Sequence, residues 1–151
     1  MTIISTVDPI PAELVSFVKG FEGWSATPYQ DVAGHWTIGW GHLLPDGSHD
    51  AIDYTQGEVL LRSDLLNAWQ GALHVSPFLE HDSEHRRMAI TDFCFNLGAN
   101  RYAGSTLRKC VDREDWPMAA AECRKWVYAG GVVQAGLVKR RNQEAEWLLN
   151  G

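Results

Sequence analysis

The sequence predicts an α+β fold in which a small β-sheet lobe and a larger helical lobe are joined by a long helix. Residues 24–47 are rich in aromatic and β-branched side chains and contain six glycines or prolines, a composition typical of short strands and tight turns. From Thr55 onward, apolar residues recur at helical spacing. We expect a ligand cleft between the two lobes, because clefts commonly form at such junctions.

The length of 151 residues predicts one domain, with a β lobe at about 22–50 and a helical lobe from residues 1–21 and 55–151. The composition, 45% apolar and 21% charged, is typical of a soluble globular protein. The first residues, "MTIISTVDPIP", lack a basic segment followed by a long apolar one, so no export signal is predicted.

The first element is an amphipathic helix in "DPIPAELVSFVKGFEG". Its apolar residues are spaced i, i+3, i+4 and i+7, and they are Leu14, Phe17, Val18 and Phe21. We expect the helix to end near Gly23. The next segment, residues 24–47, is predicted to form a small antiparallel sheet or a pair of hairpins that ends in the turn sequence "PDG".

The remaining elements are predicted to be helices. The segment "TQGEVLLRSDLLNAWQGALH" reads as one long helix, with Thr55 as its N-cap and Glu58 as the capping-box partner. The segment "EHRRMAITDFCFNLG" predicts a second helix that is closed by Gly98. The segments "DREDWPMAAAECRKWVYAGG" and "GLVKRRNQEAEWLLNG" supply the others.

Charge and cysteine content restrict the function classes. The net charge is −6, which disfavours nucleic acid as a partner because proteins that bind duplexes usually have a basic face and total. The three cysteines, Cys94, Cys110 and Cys123, have no C-x-x-C spacing. We expect them to be reduced and mostly buried, and we expect no metal site and no cofactor.

Two carboxylates stand almost alone in "FEGWSATPYQDVAGHWTIGWGH", residues 21–42. Glu22 and Asp31 are the only Asp, Glu, Lys or Arg residues in this stretch, and Thr37 follows them in the spacing E-x8-D-x5-T. Glycoside hydrolysis needs one protonated carboxyl group as general acid and one ionised carboxylate. Nearby Trp and Tyr faces would suit sugar rings. The alternative is that Asp31 is a turn residue before Gly34 and that Thr37 is an ordinary strand residue.

The stretch "FEGWSATPYQDVAGHWTIGWGHLL" resembles the N-terminal signature of the phage-type lysozymes, glycoside hydrolase family 24. Further segments resemble that family in the same order: "LLRSDL", "AITDFCFNLGA", "GSTLRK", "CRKWVYAGG" and "GLVKRRNQEAEWLL". The resemblance implies a lysozyme-like fold, Glu22 as general acid, Asp31 as the carboxylate that orients the attacking water, and Thr37 as its water-positioning partner. A related transglycosylase lineage lacks the aspartate, so Asp31 points to hydrolysis.

Other residues receive supporting roles. We expect His42 to be structural, because the resemblance implies that it pairs with an acid on the long helix; Asp64 is the candidate, and the pairing should lower its pKa. Arg140 and Glu144 are most simply an i,i+4 pair, with a contact to peptide-stem carboxylates as the alternative. Trp40 and Trp126, like Trp36, are either core residues or sugar platforms. The residues assigned to substrate binding are Tyr29, Trp36, Gly41, Leu44 and Asn96.

The sequence thus predicts a muramidase that cleaves the β-1,4 bond between N-acetylmuramic acid and N-acetylglucosamine in peptidoglycan, with an inverting mechanism implied by the resemblance. We expect a monomer that acts as a phage endolysin, accumulates in the host cytoplasm without inserting into the membrane, and needs a holin to reach the wall. Two alternatives remain: a non-catalytic glycan-binding or tail-structural module on the same fold, and a wall-degrading effector or tail lysozyme.

Overall fold

The computed structural model describes residues 8–151, so the prediction about an export signal falls largely outside the described residues. No helix in this part of the chain is long and apolar enough to span a membrane. The described elements are α1 (Ala12–Lys19), β1 (Ser25–Gln30), β2 (Trp36–Gly39), β3 (His42–Leu43), α2 (Tyr54–Val75), a 3₁₀-helix (Pro77–His81), α3 (Glu84–Leu97), α4 (Ala99–Ala103), α5 (Thr106–Asp112), α6 (Trp116–Cys123), β4 (Tyr128–Ala129), β5 (Val132–Val133) and α7 (Ala135–Asn150).

Helix α1 ends earlier than the sequence predicted. Its C-cap is Gly20, and the backbone N–H groups of Phe21 and Glu22 both donate to the carbonyl of Val18 at 3.0 Å. The chain therefore leaves the helix in a tight turn before Gly23. The ring of Phe21 still contacts Phe17, edge to face at 4.9 Å between centroids. Phe21 therefore packs against the apolar face of α1 although it lies beyond the end of the helix.

The predicted antiparallel sheet is confirmed. Its order is β1-β2-β3, and a register shift separates the pairing of Ser25 from that of Tyr29. The turn between β2 and β3 requires left-handed backbone at Gly39 (φ +64°) and Gly41 (φ +78°), a conformation that glycine adopts without steric cost. Beneath the sheet lies a small core of Ile38, Leu44 and Ile52, with Trp24 and Leu60 packed against it.

Helix α2 starts at a different cap from the one predicted. The backbone N–H of Gln56 donates to Asp53 Oδ1 at 2.8 Å, and the backbone N–H of Asp53 donates to Gln56 Oε1 at 2.9 Å. This reciprocal pair is a capping box, which places the helix start at Tyr54 rather than after Thr55. Glu58 instead accepts a hydrogen bond from Lys19 on α1 at 2.6 Å.

The later helices pack around a second core. Helix α3 packs on α7, α7 packs on α6, and α6 packs on α5. As predicted, α3 closes at Gly98; its start is capped by Ser83, whose hydroxyl accepts the backbone N–H of Arg86. The fully buried side chains here include Leu79, Met88, Ile90, Phe93, Tyr102, Leu107 and Leu148. The predicted cysteine state is confirmed, since Cys94, Cys110 and Cys123 are free and buried.

One short hairpin interrupts the region that was predicted to be helical. Strands β4 and β5 pair around Gly130 and Gly131, whose φ angles are +61° and +76°. Two consecutive glycines favour a tight turn and weaken a helix, which accounts for the difference.

The chain divides into two compact units, one ending at Leu66 and the other running from Asn67 to Gly151. The first contains α1, the three-stranded sheet and the first part of α2, and the division lies within α2. The lobe boundaries derived from the sequence stay predictions, as does the cleft.

Candidate functional site

Glu22 is positioned by the turn after α1 and by the backbone of Gly41. An added Cβ at Gly41 would lie only 2.7 Å from Glu22 Oε2 and 3.1 Å from its Cδ. The half-buried Glu22 side chain therefore lies directly against the β2–β3 turn. This close approach, together with the positive φ of Gly41, explains why glycine is needed there. Gly41 therefore helps to position Glu22. The substrate contact that the sequence predicted for Gly41 stays a prediction.

Asp31 is held in a hydrogen-bonded loop between β1 and β2. Its Oδ1 accepts the backbone N–H groups of Ala33 at 3.0 Å and His35 at 2.8 Å, and its own N–H donates to the His35 carbonyl at 2.9 Å. These bonds, above all the one from the His35 N–H, lower the pKa of the Asp31 carboxyl below its ordinary value. Asp31 is thus both a turn residue and a carboxylate that stays ionised near neutral pH.

Thr37 and Tyr29 lie beside each other on the sheet. Tyr29 in β1 is opposite Thr37 in β2, and Thr37 is opposite Leu43 in β3, so the three side chains share one face. Thr37 is only 3% exposed, and its hydroxyl donates to the His35 carbonyl at 3.0 Å. That hydroxyl oxygen keeps lone pairs that can accept a hydrogen bond from water.

The phenol of Tyr29 is within electrostatic reach of both Glu22 and Asp31. Burial raises the pKa of Tyr29 first, and the negative charges of Glu22 and then Asp31 raise it further. Both carboxylates are therefore close enough to Tyr29 to act on it electrostatically. Within the first unit, Thr37 is thus paired with Tyr29, and Tyr29 lies near Glu22 and Asp31.

A groove next to this site is lined by Gly34, His35, Trp36, Leu43, Leu44 and Pro45 and has a volume of about 250 Å³. Trp36 is 41% exposed, as a sugar platform requires, whereas Leu44 is 9% exposed and belongs to the small core. Leu43, which sequence reasoning missed, is 57% exposed and lies on the face of Thr37. Strand alternation between Leu43 and Leu44 was the signal that could have found it.

The other tryptophans have different environments. Trp40 is buried, and its ring lies 4.4 Å from that of Trp24, so its assignment as a core residue is confirmed and that as a sugar platform is wrong. Trp126, in the second unit, is half-buried and packs edge to face on Phe93 at 5.5 Å.

The predicted contact between His42 and Asp64 is present. His42 Nδ1 lies 2.9 Å from one carboxylate oxygen of Asp64 and 3.1 Å from the other. The predicted direction of the Asp64 pKa is wrong, however. Burial raises the pKa of this carboxyl, and the hydrogen bond and charge of His42 lower it by less. Desolvation of a largely buried carboxylate outweighs one partner here.

Arg140 and Arg141 have buried partners in the second unit. Arg140 donates two hydrogen bonds to Asp92, at 2.9 and 2.8 Å, which the sequence did not predict. Arg141 donates to Glu144 at 2.6 Å and to Asn96 Oδ1 at 2.9 Å. Both arginine side chains are almost fully buried, so the suggested contact with peptide-stem carboxylates is wrong. Asn96 is half-buried and its oxygen accepts this hydrogen bond from Arg141, and its assignment to substrate binding stays a prediction.

Within residues 8–151, no group of three or more His, Cys, Asp or Glu side chains is arranged to hold a metal ion. The arrangement around Tyr29 instead offers two carboxyl groups in different environments, a buried hydroxyl and an adjacent exposed tryptophan. Such a set can transfer protons to and from a sugar substrate.

Comparison with known proteins identifies the family. Residues 19–144 match the family model described as phage lysozyme. A SAR-endolysin of Enterobacteria phage PA-2 is 36% identical over 135 residues, which cover 87% of this chain and 79% of the relative. The endolysin of Bacillus phage PZA is 34% identical over 86% of this chain and 51% of its own length.

The chain belongs to the phage lysozyme family. Among solved structures, the muramidase domain of SpmX from Asticaccaulis excentricus superposes with a TM-score of 0.79 at 26% identity, covering 93% of this chain and 97% of the domain. The active form of the P1 phage endolysin Lyz superposes with a TM-score of 0.81 at 21% identity, covering 95% of this chain and 86% of that one. At this identity the similarity shows the fold alone. The predicted lysozyme-like α+β fold is therefore confirmed, and this lysozyme is a glycoside hydrolase of the phage endolysin type.

If Glu22 is the general acid, as the sequence predicts, replacing Gly41 by alanine should strongly lower the activity of the lysozyme by displacing Glu22. The new methyl group would lie 2.7 Å from Glu22 Oε2, so the carboxyl group must move, and a displacement of about 1 Å can cost ~10²-fold in rate. The measurement is the rate of peptidoglycan cleavage by the purified variant. Gly131→Ala is the matched control, because Gly131 has nearly the same φ, +76°, with nothing within 4 Å of the added Cβ. Equal activity in the two variants would contradict the predicted catalytic role of Glu22 at this position.

Replacing Asp64 by alanine should destabilise the lysozyme without changing its activity per folded molecule. The change leaves the half-buried His42 Nδ1 without its acceptor, which costs about 2 kcal/mol, while Asp64→Asn keeps an oxygen acceptor and should lose less. Thermal unfolding at pH 7 measures both, with the exposed Asp50→Ala as control. An unchanged melting temperature in Asp64→Ala would show that the His42–Asp64 pair does not contribute to stability.

The raised pKa of Asp64 also determines whether this residue stabilises the fold at low or at high pH. The folded state binds this proton more tightly than the unfolded state does. The resulting stabilisation is complete below the ordinary value of 3.8 and is lost as the pH rises through the folded pKa. The stability difference between wild type and Asp64→Asn, followed from pH 3 to pH 7, measures this contribution.

Proposed function

We propose that this lysozyme hydrolyses the β-1,4 bond between N-acetylmuramic acid and N-acetylglucosamine with inversion, using Glu22 as general acid and Asp31 as general base. The observation that supports this most directly is the placement of the two acids: backbone N–H groups hold Asp31 after β1, and Glu22 lies against Gly41 in the β2–β3 turn. Two carboxyl groups that flank a glycosidic bond, one protonated and one ionised, are the requirement for this reaction.

The environments of the two acids suit these roles. Asp31 accepts two backbone N–H bonds that favour its charged form, so it is ready to take a proton from water. Thr37, opposite Tyr29 in the sheet, can accept a hydrogen bond from the same water through its buried hydroxyl. Glu22 lies half-buried against Gly41, where it can deliver a proton to the leaving oxygen.

The bond cleaved can be tested on purified peptidoglycan. After digestion, borohydride reduction followed by hydrolysis should give the reduced form of N-acetylmuramic acid as the new chain end. Reduced N-acetylglucosamine would identify a glucosaminidase instead, and anhydro ends would identify a transglycosylase. A parallel digestion with EDTA tests the expectation that no metal takes part; inhibition that a divalent ion reverses would contradict it.

Access to the wall is part of the proposal. The endolysin names of the relatives support a role in host lysis. In this role we propose that the enzyme collects in the cytoplasm, as a monomer, until a holin permeabilises the membrane. Cells that express the chain should stay intact and lyse when chloroform is added. Lysis on expression alone would show that this chain reaches the wall without a holin.

A further inference from the structure

His35 lies beside the oxygen of Asp31 that the loop leaves uncovered. Asp31 Oδ1 is occupied by the two backbone N–H groups, whereas Oδ2 is 3.5 Å from Nδ1 of the His35 ring. The ring is 67% exposed and the carboxylate 34% exposed, so solvent reaches both. The sequence had given His35 no role.

We propose that His35 is a positioning residue that regulates Asp31 with pH. When the imidazole is protonated, its N–H and charge hold Oδ2 and make it a poorer acceptor for the attacking water. When the imidazole is neutral, Oδ2 is available to orient that water and take its proton. This inference rests on the proposed role of Asp31 as general base.

The side chain of His35 acts on Asp31 by its charge and by its hydrogen bond. The groove beside His35 is otherwise lined by Gly34, Trp36, Leu43, Leu44 and Pro45, none of which ionises. The charged groups that act on the nearby Tyr29 are Glu22 and Asp31 itself. Neither is a cation, so His35 is the group of this set that can attract Oδ2 when it gains a proton.

The side chain of His35 can be changed without disturbing the loop that holds Asp31. Three hydrogen bonds involve the backbone of His35: its N–H donates to Asp31 Oδ1, and its carbonyl accepts from the Asp31 N–H and from the Thr37 hydroxyl. Any residue other than proline keeps them. His35→Gln therefore removes the titratable ring and retains the frame of the site.

The test is the pH profile of kcat/KM on solubilised peptidoglycan strands between pH 5 and pH 8. Histidine side chains ordinarily titrate at about pH 6.5. Between pH 7.5 and pH 5.5, wild type should lose about threefold more activity than His35→Gln, the size expected for coupling between exposed charges. The difference should shrink in 0.5 M salt, because screening weakens it. His81→Gln, a change at an exposed histidine of the 3₁₀-helix, should follow wild type.

Two outcomes separate this inference from the proposed function. If His35→Gln has the same profile as wild type while Asp31→Asn is inactive, the inference about His35 is overturned and the role of Asp31 stands. If Asp31→Asn keeps its activity, the proposed function is overturned, and the inference about His35 with it.

Discussion

Glu22→Gln should abolish nearly all lytic activity while the protein folds normally. The amide has the same shape as the carboxyl group and can lie against Gly41 in the same way. It cannot donate a proton to the leaving oxygen, however, and general acid catalysis alone is worth about 10²–10⁴-fold. The measurement is the initial rate of cleavage of purified peptidoglycan, with thermal unfolding as the check on folding.

The control for this experiment is Glu13→Gln, because Glu13 is an exposed glutamate on α1, close to Glu22 in sequence. It should keep the wild-type rate within about twofold, which is the scatter expected of a change that does not touch the chemistry. Activity of Glu22→Gln within about tenfold of wild type would falsify the assignment of Glu22 as general acid.

Asp31→Asn should be almost as inactive as Glu22→Gln. An asparagine oxygen can still accept the N–H groups of Ala33 and His35, so the loop should keep its shape. The amide is not a base, so it cannot take the proton of the attacking water. Asp31→Glu keeps the charge but moves it by about 1 Å, a displacement that can cost ~10²-fold. Asp46→Asn, at an exposed aspartate that follows β3, is the control and should be fully active.

The stereochemistry of the fresh product decides what Asp31 does. If Asp31 activates water for direct displacement, cleavage of the β bond should release the α-anomer first, which NMR can detect before mutarotation. If the β-anomer appears first, and a glycosyl group can be trapped on Asp31, then Asp31 is a nucleophile and the mechanism is retaining. Either result leaves the family membership and Glu22 untouched.

Local sequence patterns predicted the elements whose formation depends on near neighbours. The sheet of residues 24–47 followed from β-branched and aromatic residues between glycines, and the end of α3 followed from Gly98. Where two local signals competed, the prediction was less exact. At the start of α2, Asp53 with Gln56 formed the cap instead of Thr55 with Glu58, because Glu58 is paired with Lys19, which is 39 residues away in the sequence.

The sequence by itself determined the fold class and the family. It also predicted the pair of carboxylates, because the spacing of Glu22, Asp31 and Thr37 is a local pattern. Only the tertiary structure decided how those groups are supported: that Gly41 holds Glu22, that His35 faces Asp31, and that burial governs the Asp64 carboxyl. The contacts of Arg140 with Asp92 and of Arg141 with Asn96 also came from the structure alone, since Asp92 and Asn96 lie on another helix. Contact, desolvation and side-chain direction depend on which distant segments meet, and no local pattern records that.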